Sequence, residues 1–293
     1  MRGTQAYNAI VAPTAPQKAM TDRYAVIGNP IAHSKSPQIH AAFARQTGED
    51  IEYGRLLGDL EEFAADVDQF REEGGRGLNV TVPFKERAFR YADRLSERAR
   101  AAGAVNTLSF DDLGAYGDNT DGAGLVRDLG CNHRFDFGGA RVLLLGAGGA
   151  VRGVLRPLLD ERPGQLVIAN RTADKALALA AAAAADAPPG ALLGCGLDEL
   201  KGRRFDLIIN GTAAGLSAQV PAIPDDCLGE GGWTYDMLYS TEPTAFVSWG
   251  QQHGAARALD GLGMLVEQAA EAFHLWRGVM PDTAPVIADL RRA

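Results

Sequence analysis

The sequence predicts an α/β protein of two domains: a mainly parallel α/β/α domain followed by a Rossmann-like dinucleotide-binding domain. Three observations carry this. From Tyr24 onward, short apolar runs alternate with helical stretches, the pattern of a mainly parallel sheet covered on both faces. One run, Arg141 to Leu145, opens directly into Gly146-Ala147-Gly148-Gly149-Ala150, a turn of the kind that lets backbone approach a pyrophosphate. The 293 residues, 46% of them hydrophobic, are long for one domain and comfortable for two.

Residues 1–21 stand apart from this pattern. MRGTQAYNAIVAPTAPQKAM has two prolines, no acid and no continuous apolar core, so it reads as a flexible extension or added leader rather than a secretory signal. Arginine is too scarce there to support a transit peptide. Folded sequence is expected to start near Asp22. Tyr24 to Ile27 predicts a short buried strand. The polar loop GNPIAHSKSP follows, with Ser36 expected to cap a helix and Pro37 to occupy its first turn. That helix is expected over 39–47, with Gly48 as its stop, and a strand over 51–57. Leu60, Phe63, Ala64, Val67 and Phe70 recur at helical spacing, and Gly74-Gly75 end the helix. A strand over 77–82 stops at Pro83. One charged helix is expected over 84–102, then a strand over 104–110 and a glycine-containing turn.

The second unit is expected from about Asp121. Val154, Leu155, Leu158 and Leu159 mark an apolar helix after the glycine turn. A strand follows over 165–170. The alanine-rich stretch 173–187 reads as an ordinary helix, because lysine, leucine and aspartate punctuate it. Further strands are expected over 205–210 and 233–239.

Composition narrows the class. A net charge of −8 argues against a general nucleic-acid or anionic-membrane binder. Cys131, Cys195 and Cys227 show no paired spacing, which fits a reducing cytoplasm and gives neither a disulfide nor a metal signal. No apolar run reaches membrane-spanning length.

Four segments carry chemistry. Ser34 and Ser36, one residue apart between a strand end and a helix start, suit a ligand rich in hydroxyls or bearing a carboxylate; the local alternative is a cap and a polar turn. Gly146 to Ala150 suits a pyrophosphate, although Val151 stands where the third glycine of GxGxxG would be; the alternative is a plain tight turn. At the next strand end, where an NAD site places an acid, stand Asn170, Arg171 and Thr172, with Lys175 nearby. These suit a 2′-phosphate and favour NADP over NAD, unless Arg171 is simply solvated. Lys85 closes the segment GLNVTVPFK beyond Asn79 and Thr81, and Asp121 lies in DNTDG at the junction of the units. A lysine beside a carboxylate at a cleft can hydrogen-bond a carbonyl and exchange a proton with a developing alkoxide. Alone, Lys85 would read as a surface lysine and Asp121 as a helix cap.

GNPIAHSKSP, GLNVTVPFK, GAVNTL, DNTDG, GAGGA, NRT, YDMLY and DGLGMLVEQAA occur in this order, and together they resemble the shikimate dehydrogenase family from about Tyr24 to the end. The resemblance implies reversible, NADP-dependent reduction of 3-dehydroshikimate to shikimate in aromatic amino-acid biosynthesis. It implies that Ser34 and Ser36 hold the substrate carboxylate. Asn79, Thr81, Lys85, Asn106, Asp121 and Gln268 would contact ring hydroxyls, with Tyr239 lining the same pocket. Lys85 and Asp121 would be the catalytic pair. Asn170, Arg171, Thr172 and Lys175 would surround the 2′-phosphate, and Gly261 and Met264 would approach the nicotinamide. It also implies a substrate domain over 22–120, an NADP-binding domain over 121–261, and helices over 262–293 returning to the first domain. Met264, Leu265, Ala269, Ala270 and Phe273 would pack that return. The implied enzyme is cytoplasmic, a monomer or homodimer, with a small-molecule substrate and no nucleic-acid or membrane partner. Lys175 stands where an arginine is common, and Asn210 to Gly215 is a looser form of the family's segment. Two other readings share the fold: a quinate/shikimate dehydrogenase with looser substrate or cofactor choice, and a non-catalytic shikimate sensor. Retention of Lys85 and Asp121 weighs against the sensor. His33 and His40 are given no catalytic role.

Overall fold

The computed structural model describes residues 21–212, 214 and 219–292. The expectation for the N-terminal extension falls outside these residues, Thr21 excepted. The first sheet is built from β1 (Asp22–Gly28), α1 (Ser36–Thr47), β2 (Ile51–Leu57), α2 (Phe63–Glu72), β3 (Gly75–Val80), α3 (Lys85–Tyr91), β4 (Arg94–Leu95), α4 (Glu97–Ala102), β5 (Thr107–Asp111) and β6 (Gly114–Asp118). Its strand order is β2-β1-β3-β5-β6-β4. β1 runs parallel to β2 and β3, and β4 parallel to β6. β5 and β6 form an antiparallel hairpin against β3. Tyr24 to Ile27 are all buried, as a strand covered on both faces requires.

Two local expectations are corrected here. Lys35, not Ser36, is the cap of α1, and no side chain caps it. The Ser36 hydroxyl instead accepts from Ser34 Oγ at 3.2 Å, so it serves the loop. The charged stretch 84–102 is not one helix. It turns extended at Ala92, the Asp93 carboxylate accepts from Ala115 N at 2.7 Å, and Ser96 starts α4 by accepting from Ala99 N at 3.0 Å. Asp and Ser offer the backbone alternatives to the helix ladder, and here those alternatives win. The glycine-containing turn after Phe110 is the tip of the β5–β6 hairpin.

The second sheet contains β7 (Arg141–Leu145), α6 (Gly149–Asp160), β8 (Gln165–Asn170), α7 (Ala173–Ala182), β9 (Leu192–Gly196), β10 (Phe205–Asn210), β11 (Leu228–Asp236), α8 (Ala245–Gln252) and β12 (Arg257–Leu259), preceded by α5 (Asp121–Arg127) and a π-helical turn at Asp128–Asn132. All its pairings are parallel. Its order, β12-β11-β10-β7-β8-β9, is the doubly wound one, with the chain reversing direction across the sheet between β7 and β10. The central strands are buried on both faces. Val142 and Leu144 of β7 pack on one side with Leu166 and Ile168 of β8 and Leu207 and Ile209 of β10. Leu143 and Leu145 pack on the other with Val167, Ala169 and Ile208. The alanine-rich helix is shorter than expected, ending at Ala182, and the strand expected over 233–239 runs instead from Leu228 to Asp236.

Two further helices, α9 (Leu262–Arg277) and α10 (Ala284–Arg292), close the chain. Leu262, Val266, Ala269, Ala270 and Phe273 of α9 pack with Ile39 and Phe43 of α1 and with Val286 and Leu290 of α10. The last helices therefore return to the first sheet. Met264 is the exception among the residues expected to pack that return: it lies in the core of the second sheet with Leu125 and Tyr235, because the first turn of α9 still lies against that sheet. Gly77 makes room for the return at the other end, since a Cβ there would stand 2.5 Å from Trp276 Nε1, which donates to Leu108 O at 3.0 Å.

Candidate active site

Between the two sheets opens a cavity of about 350 Å³ lined by Ser34, Ser36, Asn79, Thr81, Lys85, Asn106, Tyr239 and Gln268, with Ile31, Leu265 and Ala269 as apolar wall. These residues come from the loop after β1 and the start of α1, from β3, the loop after it and the start of α3, from the segments before β5 and after β11, and from α9. Gly28 lets the first two loops close on each other, since a Cβ there would stand 2.5 Å from Thr81 Cγ2. Ser34 is held from behind: its carbonyl accepts from Arg55 Nη2 at 2.6 Å and from Nε at 3.2 Å. Burial pushes the Tyr239 phenol up, so it stays a protonated donor at neutral pH.

Lys85 and Asp121 meet at the inner end. Lys85 Nζ donates to Asp121 Oδ2 at 2.5 Å, with the lysine side chain 27% exposed and the aspartate 4%. Asp121 opens α5, where a helix amino end favours a carboxylate. Its other oxygen accepts from Asn106 Nδ2 at 2.9 Å, and the same nitrogen lies 2.9 Å from Gln268 Oε1. Asn106 is oriented in turn by the Thr120 amide, which donates to its Oδ1 at 2.8 Å. An ammonium with one fixed carboxylate partner and partial access to water can hydrogen-bond a carbonyl and transfer a proton.

The glycine turn leads into α6, whose Gly153 is so close to Asp121 that a Cβ there would stand 3.5 Å from its Oδ2. Gly146 ends β7 at φ 109°, a conformation that disfavours any side chain. Gly148 caps α6 in extended conformation, with open space where a Cβ would point. The turn and the amino end of α6 thus leave room for an anion, the fit expected for a pyrophosphate. Val151, in place of the third glycine, is buried, and a Cβ on Gly211 would stand 2.6 Å from its Cγ2. Glycine at 211 supplies the space that glycine at 151 would have supplied. Asn170 shapes the turn after β8 by donating to Thr172 O at 2.9 Å. Arg171 and Lys175 are exposed there, with Thr172 beside them, and neither cation forms an ion pair among the described residues. Gly261 crosses so close to Met237 that a Cβ would stand 2.4 Å from its carbonyl oxygen. Met264 is only 6% exposed. Among the described residues no cluster of His, Cys, Asp or Glu is placed to hold a metal ion.

Sequence reasoning missed several groups. Arg55 reads as a solvated strand charge. Arg152 reads as a helix-surface charge, yet it pairs across the cleft with Glu86 Oε1 at 2.5 Å. Asp236 is buried; burial pushes its carboxyl up, against hydrogen bonds from Thr244 Oγ1 at 2.6 Å and Asn210 Nδ2 at 3.1 Å. The only sequence signal for this last group was an Asn and an Asp closing two apolar strands.

Comparison with known proteins bears on this geometry. Residues 26–108 match the model of the shikimate dehydrogenase substrate binding domain, residues 131–216 that of shikimate / quinate 5-dehydrogenase, and residues 261–291 that of the shikimate 5′-dehydrogenase C-terminal domain. A shikimate dehydrogenase (NADP(+)) of Alkalilimnicola ehrlichii is 58% identical over 93% of this chain and 99% of its own length. Among solved structures, an Ael1 enzyme from Pseudomonas putida is 50% identical, with a TM-score of 0.88 over 92% of this chain and 98% of that one. A shikimate 5-dehydrogenase of Thermus thermophilus, in complex with NADP(H) and shikimate, is 33% identical, with a TM-score of 0.80 over 92% and 99%.

Proposed function

The chain belongs to the shikimate dehydrogenase family, and from that premise we infer that it catalyses the reversible, NADP-dependent reduction of 3-dehydroshikimate to shikimate in aromatic amino-acid biosynthesis. The observation that carries the reading is the Lys85–Asp121 pair at 2.5 Å, set between a two-serine loop suited to a carboxylate and a glycine turn suited to a pyrophosphate. Residues 22–120 with 262–293 then form the substrate-binding part, and 121–261 the NADP-binding part.

In this reading the Ser34 and Ser36 hydroxyls donate to the substrate carboxylate, and Arg55 adds positive charge behind them. Asn79, Thr81, Asn106, Tyr239 and Gln268 fix the ring hydroxyls, so the carbonyl carbon is presented in one orientation. Gly146 to Ala150 receive the pyrophosphate, Asn170, Arg171, Thr172 and Lys175 the 2′-phosphate, and Gly261 and Met264 lie towards the nicotinamide. NADPH, when bound, supplies the hydride. The Lys85 ammonium hydrogen-bonds the carbonyl oxygen, stabilises the charge that develops there and gives it a proton. Its exposed flank lets water restore that proton, while Asp121 keeps it aimed. In the oxidative direction the same lysine takes the proton back.

Three unpaired cysteines support a reducing, cytoplasmic setting for a monomer or homodimer, and among the described residues no helix is long and apolar enough to cross a membrane. The test is absorbance at the NADPH band with shikimate and NADP. Turnover with this pair is expected, and none at all would sink the reading. Quinate and NAD, run in parallel, measure strictness, because the family model that matches 131–216 covers both shikimate and quinate enzymes.

A further inference from the structure

Beneath the cavity lies a pair that the proton transfer does not use, His40 buried and Tyr53 half-buried. His40 is 0% exposed. Its ring stacks on Tyr53, with centroids 4.2 Å apart and planes 6° apart, and Phe43, Phe273 and Trp276 surround it. Both members of the pair reach one atom of Asn79: the Tyr53 hydroxyl donates to Oδ1 at 2.6 Å, and His40 Nε2 lies 3.1 Å from it; the same hydroxyl also hydrogen-bonds the Ser36 side chain. On the other side, Asn79 Nδ2 faces Thr107 Oγ1 at 3.2 Å and the Asn106 carbonyl at 3.5 Å. A backbone carbonyl only accepts, so the nitrogen of the amide belongs on that side and the oxygen on the side of the stack. The imidazole must then carry its proton on Nε2. Its Nδ1 has no partner, which suits a bare lone pair better than an orphaned N–H. Burial pushes the imidazole down to about 3, in keeping with a neutral ring.

We propose that His40 and Tyr53 are positioning residues for substrate: from below, they lock the Asn79 carboxamide with its nitrogen edge towards the cavity. A free asparagine amide flips at little cost, and a flip exchanges the donor and acceptor offered to a substrate hydroxyl. Two donors on Oδ1 remove that degeneracy. One N–H of Nδ2 is held by Thr107 Oγ1 at 3.2 Å, and a substrate hydroxyl would take the other from its weaker, 3.5 Å contact with the Asn106 carbonyl. The proposal rests on the reading above that Asn79 touches substrate.

Steady-state kinetics with shikimate and NADP test both layers. Asn79→Ala tests the underlying reading: an unchanged KM for shikimate removes Asn79 from the site. Tyr53→Phe, which deletes only the hydroxyl, is expected to raise KM for shikimate about five- to tenfold, one hydrogen bond's worth, with KM for NADP unchanged and turnover falling less than KM rises. His40→Phe should do the same, and His40→Gln, which restores an N–H donor, should recover most of the loss. In the Asn79→Ala background, Tyr53→Phe should add little; a loss of the same size there would run through the hydroxyl's contact with Ser36 and overturn the route through Asn79. An Asn79→Ala effect without a Tyr53→Phe effect overturns the positioning role, as does a Tyr53→Phe loss shared equally by both substrates. Should His40→Phe not fold, nitrogen NMR of the unaltered protein decides the histidine's part: the Nε2–H tautomer is expected, and the Nδ1–H tautomer refutes it.

Discussion

Replacing Lys85 by methionine keeps the apolar stem and removes the ammonium. A positioned proton-transfer group contributes about 10²–10⁴ in rate, or roughly 3–5 kcal/mol of barrier. Lys85 is 27% exposed, so water can partly stand in for it, which places the expected loss of turnover at the lower end, about 10²–10³-fold. Asp121→Asn should cost a comparable amount by a different route. Asn106 Nδ2 already occupies Oδ1, so the new amide nitrogen would face the Lys85 ammonium, donor against donor, and turn it away. If the two groups act as one unit, Lys85→Met with Asp121→Asn should lose little more than either alone, whereas independent action predicts a product of about 10⁴–10⁶. Turnover at saturating shikimate and NADP measures this, with circular dichroism and NADP titration confirming a folded, cofactor-competent protein. A folded Lys85→Met variant within about threefold of the parent, well short of the expected range, would leave the lysine a binding role only, and a multiplicative double variant would dissolve the pair.

Arg171→Asp should raise KM for NADP about tenfold or more while sparing NAD, because it sets a like charge against the 2′-phosphate; an unchanged KM for NADP would refute the assignment. Ser34→Ala and Ser36→Ala should each raise KM for shikimate, since a hydrogen bond to a charged group contributes about 1.5–3 kcal/mol; an equal loss of NADP binding would point to loop folding instead. Asp118→Asn should cost stability at neutral pH. Burial alone would push the Asp118 carboxyl up, but the Arg98 fork, Ser96 and the Asn119 amide outweigh it and hold it below the usual value. A depressed native pKa adds stability above the unfolded value of about 4 that is lost as pH falls through the native value. The gap in urea midpoint between parent and variant should therefore close in acid, and a gap constant down to low pH would contradict this.

The strands were legible where burial on both faces makes them continuous apolar runs, as in Tyr24 to Ile27, Gln165 to Asn170 and Phe205 to Asn210. The site loops were legible because polar residues cluster where those runs stop. Elements held by distant partners were not. β4 is two residues long and exists only because β6, some twenty residues on, pairs with it. β9 reads as Leu-Leu-Gly-Cys-Gly, too short and glycine-rich to announce itself. His40 illustrates the same limit in the site: a histidine inside a helix reads as packing, and only the fold brings Tyr53 and Asn79 to its ring.

The same long-range logic explains why the candidate catalytic groups sit where they do. The chain passes between the sheets at the start of α5 and again at the start of α9. These helices cross so closely that a Cβ on Gly124 would stand 2.7 Å from Gln268 N. Asp121 lies one turn before that crossing and Gln268 within it, and Asn106 bonds both. Asp121, Asn106 and Gln268 are thus gathered at this crossing, and Lys85 joins them through Asp121; the Glu86–Arg152 pair adjoins them, one residue along the chain from Lys85 and from Gly153, where a Cβ would stand 3.5 Å from Asp121 Oδ2. A candidate proton-transfer pair must keep its geometry from one turnover to the next, and tying its carboxylate to two helices in backbone contact provides that.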